Sequence, residues 1–267
     1  MSSIKKNSSK PLVLVEMQGR VAWLILHRPE AANALSSALV ASLHAELARL
    51  AKLSDLTAVV LAGADGKGFS AGADLKERLG MTLDGTRAYL DELCALVQAI
   101  EDFPRPVIAA ISGAAFGGGL EIALACDMRL ADESAILALS EVRLGIIPGA
   151  GGTQRLSRLC GIAVAKELIL TGRRLDAKAA LRLGLVSQVV AKSELRAAVA
   201  TLCSELAAAA PLALAEAKRA IDSGFGKPMK EALAVERRHY EVVLASQDRN
   251  EGLRAFTEKR PPRYRGK

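Results

Sequence analysis

Apolar residues along the first 140 positions fall into short blocks separated by turn residues. Leu12 to Met17 and Val21 to Leu26 flank Gln18-Gly19-Arg20, a spacing that predicts a β-hairpin. His27-Arg28-Pro29 ends the second block. From Ser36 the period lengthens, and Leu39, Leu43, Leu47 and Leu50 mark one face of a helix. Ala58 to Leu61 reads as a buried strand ending at Gly63. Asp84 is the predicted cap of a helix whose apolar face is Leu90, Leu93, Cys94, Val97 and Ile100. Pro104 and Pro106 end that helix, Val107 to Ile111 is the next strand, residues 117–126 read as helix and Met128 to Ala131 as extended. This alternation predicts an α/β core with largely parallel strands and crossover helices. From about Gly152 the pattern turns mostly helical: 162–170, 176–182, 193–209, 211–223, 230–246 and 248–257. Leu233, Tyr240, Val243 and Leu244 give one of these helices an apolar stripe. A helical third with so little strand cannot cover itself and is expected to pack on the core or on a partner subunit.

Three glycine-rich segments interrupt the pattern where chemistry could sit. The first, Gly68-Phe69-Ser70-Ala71-Gly72-Ala73-Asp74-Leu75-Lys76-Glu77, follows a strand and enters a predicted helix. Its small residues let a ligand approach the backbone, and free N–H groups at a helix start attract negative charge. An ordinary strand-to-helix turn would look the same. In the second, Gly117-Gly118-Gly119 opens a helix directly after the strand at 107–111. Glycine costs up to about 1 kcal/mol at a helix-interior position, so a triplet calls for a reason: N–H groups offered to an anionic oxygen, or tight strand–helix packing. It is not a dinucleotide fingerprint, because the GxGxxG spacing and the later ribose-binding acid are missing. The third runs from Ser140 through Pro148-Gly149-Ala150-Gly151-Gly152 to Leu156. Glu141 lies 20 residues after Glu121, and each stands beside an apolar, glycine-lined segment. A carboxylate so placed could be a general acid or base with a raised pKa, or simply an ion-paired residue.

Composition narrows the options only a little. The 267 residues are 51% apolar and 3% aromatic, which excludes a disordered, collagenous or disulfide-dense chain. No run reaches 18 uninterrupted apolar residues, so a membrane span is not expected. The surplus of 36 Lys and Arg over 29 Asp and Glu suits nucleic acid or an anionic small molecule equally. Residues 1–10 read as a loose tail without the apolar core of a secretory signal. Cys94, Cys126, Cys160 and Cys203 are widely spaced and read as buried free thiols of a reducing compartment. His27, His44 and His239 show no ligand spacing, so no metal site is expected. No Ser–His–acid set is visible in the glycine-rich segments.

Taken together, these segments resemble the enoyl-CoA hydratase/isomerase (crotonase) family. The resemblance rests on FSAGADLKE at 69–77, AFGGGLE at 115–121, CDMRLA at 126–131 and IIPGAGGTQRL at 146–156, with RPEAANALS at 28–36 and LTGRRLDAKAALRLGLV at 170–186. It covers nearly everything from residue 12 onward. It implies a spiral of ββα units over 11–200 and a helical oligomerisation segment over 201–267, the assembly being a homotrimer or homohexamer. It implies an acyl-CoA substrate, with CoA arriving as part of that substrate and no separate cofactor. By family pattern, the backbone N–H groups of Ala73 and Gly118 would hold the thioester oxygen, and Glu121 and Glu141 would be base and acid on one water. Gly149 would line the water pocket, with Leu139, Val142 and the 78–90 loop shaping the acyl pocket. Ala71, Asp74 and Lys76 match CoA-binding positions, and Phe256 and Lys259 match residues that reach a neighbouring subunit's CoA. Family isomerases and several hydrolases generally lack one glutamate of the pair, so the resemblance favours hydration; isomerisation, or a binding protein on the same fold, is the alternative.

Within the family the chain is similar to the methylglutaconyl-CoA hydratase branch that also binds AU-rich RNA, through ADLKER at 73–78, GGLEIALACDMRLA at 118–131 and DRNEGLRAFTEKRPPRYRG at 248–266. This suggests 3-methylglutaconyl-CoA from leucine breakdown, or a general enoyl-CoA of fatty acid oxidation. The RNA property does not carry over. Residues 36–50 hold His44, Glu46 and Arg49 but no lysine, so the phosphate-neutralising attraction is missing. The expected compartment is a bacterial-type cytoplasm, or a mitochondrial matrix if a transit peptide has been removed.

Overall fold

The computed structural model describes residues 11–64 and 66–267; the tail expected at 1–10 lies outside the described residues. The predicted hairpin is present as β1 (Val13–Gln18) and β2 (Val21–Leu26), paired antiparallel with Gln18 opposite Val21. Helix α1 (Ser37–Leu50) follows, its first turn closed by the Ser36 hydroxyl accepting from Leu39 N–H. β3 (Ala58–Gly63) leads to α2 (Leu75–Leu79) and α3 (Leu83–Glu101). The cap of α3 is Thr82, not the expected Asp84, which lies in the first turn. The buried face of α3 also differs from the expectation: Tyr89, Leu93, Leu96, Val97 and Ile100 are buried, while Cys94 is exposed.

β4 (Val107–Ile111) is followed by a second short strand, β5 (Ala114–Phe116), and only then by α4 (Gly118–Ala125). The glycine triplet therefore does not follow the 107–111 strand directly. β6 (Met128–Asp132) and β7 (Ile136–Ala138) repeat that two-strand step, followed by α5 (Gly152–Cys160) and α6 (Ile162–Thr171). β8 (Leu175–Asp176), α7 (Ala177–Arg182) and β9 (Gln188–Val190) complete the winding. One sheet has the order β1-β2-β3-β4-β6-β9, parallel from β2 onward, and the other has the order β5-β7-β8. The turns beginning at β4 and β6 thus each lay one strand in the large sheet and one in the small sheet, and return through helix. This is the α/β spiral of ββα units expected from the family resemblance.

The central strands β2, β3 and β4 of the large sheet are buried on both faces, which is why they read as continuous apolar runs. Leu24, Leu61, Ala109 and Ile111 face the core under α1 and α3. Trp23, Val60, Ile108 and Leu130 face the other way, onto Leu195, Val199 and Cys203 of α8 (Leu195–Ala207). The boundary expected at residue 200 falls inside α8, which packs on the large sheet. The outlying helices are α9 (Pro211–Gly224), α10 (Met229–Leu244) and α11 (Gln247–Thr257). They leave Ile221, Phe225, Met229, Leu233, Tyr240 and Phe256 exposed on the protomer. Of the predicted stripe of α10, Leu233 and Tyr240 are thus exposed, while Val243 and Leu244 are half-buried.

The thiols also depart from expectation. Cys126 and Cys203 are buried, but Cys94 is exposed and Cys160 half-buried. No helix among the described residues is long and apolar enough to cross a membrane by itself, and no cluster of three His, Cys, Asp or Glu side chains there could hold a metal ion.

Candidate active site

The segments after β3 and β4 run side by side. Ser70 N–H donates to the Ala114 carbonyl (2.9 Å) and Phe116 N–H to the Ser70 carbonyl (3.0 Å). This pairing carries the chain on, in register, to Ala73 on one side and Gly118 on the other. A β-carbon on Gly118 would lie 3.9 Å from Ala73 N, so the two amides are neighbours. Neither N–H has a partner among the described residues. Ala73 sits between residues that are engaged: Gly72 N–H donates to Ser70 Oγ and Asp74 N–H to the Leu35 carbonyl. Gly118 is the first residue of α4, where N–H groups have no intrahelical acceptor. Gly117 turns the chain into that helix with φ 49° and ψ −126°, a conformation that L side chains avoid.

The two amides open on a cleft of about 740 Å³, whose wall includes Ala71, Ala73, Gly118, Glu121, Glu141 and Gly149. Glu121 comes from the first turn of α4 and is 2% exposed. One of its oxygens, Oε1, accepts from both Ala150 N–H and Gly152 N–H, each at 2.8 Å. On balance burial raises the Glu121 pKa, and those two amides, with the Arg155 charge, offset it only in part. Glu141 heads a short 3-10 turn, Glu141–Leu144. Its Oε2 is buried without a hydrogen-bond partner among the described residues, and its carboxylate abuts Gly117, since a β-carbon there would lie 3.2 Å from Glu141 Oε1. Burial, with a contribution from the Glu121 charge, pushes the Glu141 pKa up to about 7. The cleft therefore holds one carboxyl anchored by two N–H donors and one whose Oε2 has no partner among the described residues and whose pKa lies at about 7. The Glu121 charge acts on Glu141, so the two titrations are linked.

Not every residue singled out in the sequence reaches the cleft. Leu139 and Val142 are not on its wall. Leu139 is buried against Gly152, and Val142 packs on the core. Of the 78–90 stretch, Arg78, Thr86 and Leu90 do line it, but most of that stretch is helix, not loop. The Asp74 carboxylate is turned away: it caps α2 and pairs with Arg28 at 2.6 Å, which holds its pKa below the usual carboxylate range. Lys76 is exposed on α2. Phe256, 87% exposed on α11, and Lys259 beyond its end are not on the wall of the cleft. Leu93, Ile146 and Ile147, which add apolar surface to the wall, were missed by the sequence reading. Ile146 and Ile147 lie in the third glycine-rich segment, a position that apolar periodicity does not register, while Leu93 was read only as part of the apolar face of α3.

Comparison with known proteins adds the following. The family profile for enoyl-CoA hydratase/isomerase matches residues 16–267. The mitochondrial enoyl-CoA hydratase domain-containing protein 2 of Mus musculus is 43% identical over 251 residues, 92% of this chain and 85% of its own. The enoyl-CoA isomerase/hydratase fer4 of Mycosarcoma maydis is 42% identical over 255 residues, 92% and 93% of the two chains. The crystal structure of an enoyl-CoA hydratase from Bacillus anthracis superposes with a TM-score of 0.94 at 44% identity, covering 96% of this chain and all of the other.

Proposed function

Because this chain belongs to the enoyl-CoA hydratase/isomerase family, we propose that it adds water across the α,β double bond of an unsaturated acyl-CoA thioester. The observation that carries this reading is the convergence of two carboxyls, Glu121 and Glu141, on one cleft beside two unpartnered amides. The thioester oxygen sits between Ala73 N–H and Gly118 N–H. Water lies between the carboxyls, near Gly149. Glu121 takes a proton as the water oxygen bonds to Cβ. The π electrons move through Cα to the thioester oxygen, and the two amides stabilise that enolate. Glu141 then delivers its proton to Cα and the thioester carbonyl re-forms. The amide-stabilised carboxylate suits the base and the carboxyl with a pKa of about 7 suits the acid, which gives the order of roles. CoA enters as part of the substrate, so the reaction uses no separate cofactor.

Double-bond migration needs one group to remove a proton and return it, whereas hydration occupies two. Both carboxyls facing the same space therefore favours hydration. The preferred acyl groups are 3-methylglutaconyl or an unbranched enoyl chain. The exposed apolar faces of α9 to α11 fit assembly as a homotrimer or homohexamer, in which Phe256 and Lys259 would extend to a neighbour's CoA. Arg49, a cation of α1, is paired with Glu46 at 2.8 Å, so specific RNA binding is not part of the proposal.

A hydration assay on crotonyl-CoA and 3-methylglutaconyl-CoA tests the reading. Turnover on at least one is expected; inactivity on both, with turnover of a 3-enoyl-CoA, would establish isomerisation in its place. The dependence of kcat/KM on pH gives a second check. It is expected to be bell-shaped, falling on the basic side as Glu141 loses its proton through about pH 7 and on the acidic side as Glu121 gains one. A profile that keeps rising to pH 9 would remove Glu141 from the role of acid.

A further inference from the structure

The hold on Glu121 is itself held from outside the cleft. The peptide group between Ala150 and Gly151 lies between the two peptide groups whose N–H bonds fix Glu121 Oε1. Its oxygen accepts from Arg155 Nη1 at 3.1 Å. Arg155 stands in α5, and its Nη2 pairs with Glu101, the last residue of α3. The Arg155 side chain is only 16% exposed, and its Nε is buried without a partner among the described residues. Neither Arg155 nor Glu101 lies on the wall of the cleft, so neither is placed to touch the substrate.

We propose that Arg155, oriented by Glu101, is a positioning residue that fixes the Ala150–Gly152 turn and through it the proton-accepting carboxylate of Glu121. This rests on the reading of Glu121 given above. An arginine is needed because one guanidinium must serve a carbonyl and a carboxylate in two directions; lysine offers one point of charge. A clasp that only joined α3 to α5 would support stability without touching the chemistry. A brace on the base also alters the rate and its acid limb.

The variants are Arg155→Lys and Glu101→Gln, chosen because both keep the bulk of the side chain, with Arg155→Gln as the stronger case. The expected result is a fall in kcat of about tenfold with KM changed less than about twofold. The acid limb of the pH profile should move to higher pH, because weaker amide donation makes the Glu121 anion harder to form. Arg155 also lowers the Glu121 pKa directly through its charge, which Arg155→Lys and Glu101→Gln keep and Arg155→Gln removes, so the brace is read from the first two; Glu141, Cys94 and Tyr89, which also act electrostatically with Glu121, stay in place. In a Glu121→Gln background, Arg155→Lys should cost nothing further in kcat. Carbon-13 NMR titration of the Glu121 carboxyl reads the same brace without any turnover. An unmoved carboxyl titration, or losses that add fully to those of Glu121→Gln, would overturn the proposal even if melting temperature falls. If the wild type hydrates no enoyl-CoA yet the carboxyl titration moves as expected, the brace stands and the hydratase reading falls.

Discussion

Replacing Glu141 by glutamine is expected to lower hydration turnover by about 10²-fold or more while leaving acyl-CoA affinity within about threefold of the unaltered protein. Glutamine keeps the shape and can still hydrogen-bond a water, but it has no proton to release to Cα. Glu141 is half-buried, and nothing among the described residues bonds its Oε2, so the substitution breaks no internal hydrogen bond there. Folding stability should therefore hold within about 0.5 kcal/mol or rise slightly, since a neutral amide costs less to bury than a carboxylate. The basic limb of the pH profile should vanish with the group that causes it. Steady-state kinetics, calorimetric titration with an unreactive saturated acyl-CoA and a melting curve separate these effects. Full turnover in the variant would dissolve the two-carboxyl mechanism.

Gly119→Ala is expected to be nearly as damaging by a different route. A β-carbon at 119 would stand 2.7 Å from Ser70 Cβ and 2.8 Å from the Ser70 carbonyl. Neither can retreat cheaply. Ser70 is bonded through its backbone to both Ala114 and Phe116, and its hydroxyl donates to the Asn33 carbonyl at 2.8 Å. The added methyl must push the start of α4 away from residues 70–73, and that widens the gap between the two amides. Overpacking of this kind costs about 1–3 kcal/mol of stability. A displaced oxyanion donor lowers kcat by about 10²–10³-fold. Gly80→Ala serves as the control: its β-carbon meets nothing nearer than 3.6 Å, and it should change neither rate nor stability measurably. Denaturant unfolding and kcat/KM on both variants give the comparison. A fully active Gly119→Ala would show that the spacing of the amides is not critical.

The sequence was most informative where one physical requirement acted alone. β2, β3 and β4 are buried on both faces, so their apolar runs could hardly be read otherwise. The glycine-rich segments stood out because glycine is costly in a helix unless something comes close. The reading weakened where two requirements competed. On α3, periodicity put Cys94 in the core, but the helix is rotated so that Leu96 takes that place and Cys94 lies outside, its thiol donating to the Gly149 carbonyl. The strands β5, β7 and β8 have two or three residues each, too few for alternation to register. The family pattern placed Leu139 at the pocket, yet just past the end of β7 it packs against Gly152, behind the wall of the cleft. The link from Glu101 to Arg155 spans 54 residues, and nothing local in the chain announces it.

The apolar flank left open on α9, α10 and α11 bears on how the chain matures. Those helices are synthesised after the sheet and all the helices that cover it, so the adhesive surface reaches solvent only once the rest can already have closed. If the proposed homo-oligomer forms, a lone protomer at that moment has two fates, docking on its own kind or joining indiscriminate clumps. The yield of usable protein should then depend on how fast protomers meet one another, and slowing synthesis by cooling should recover more of it.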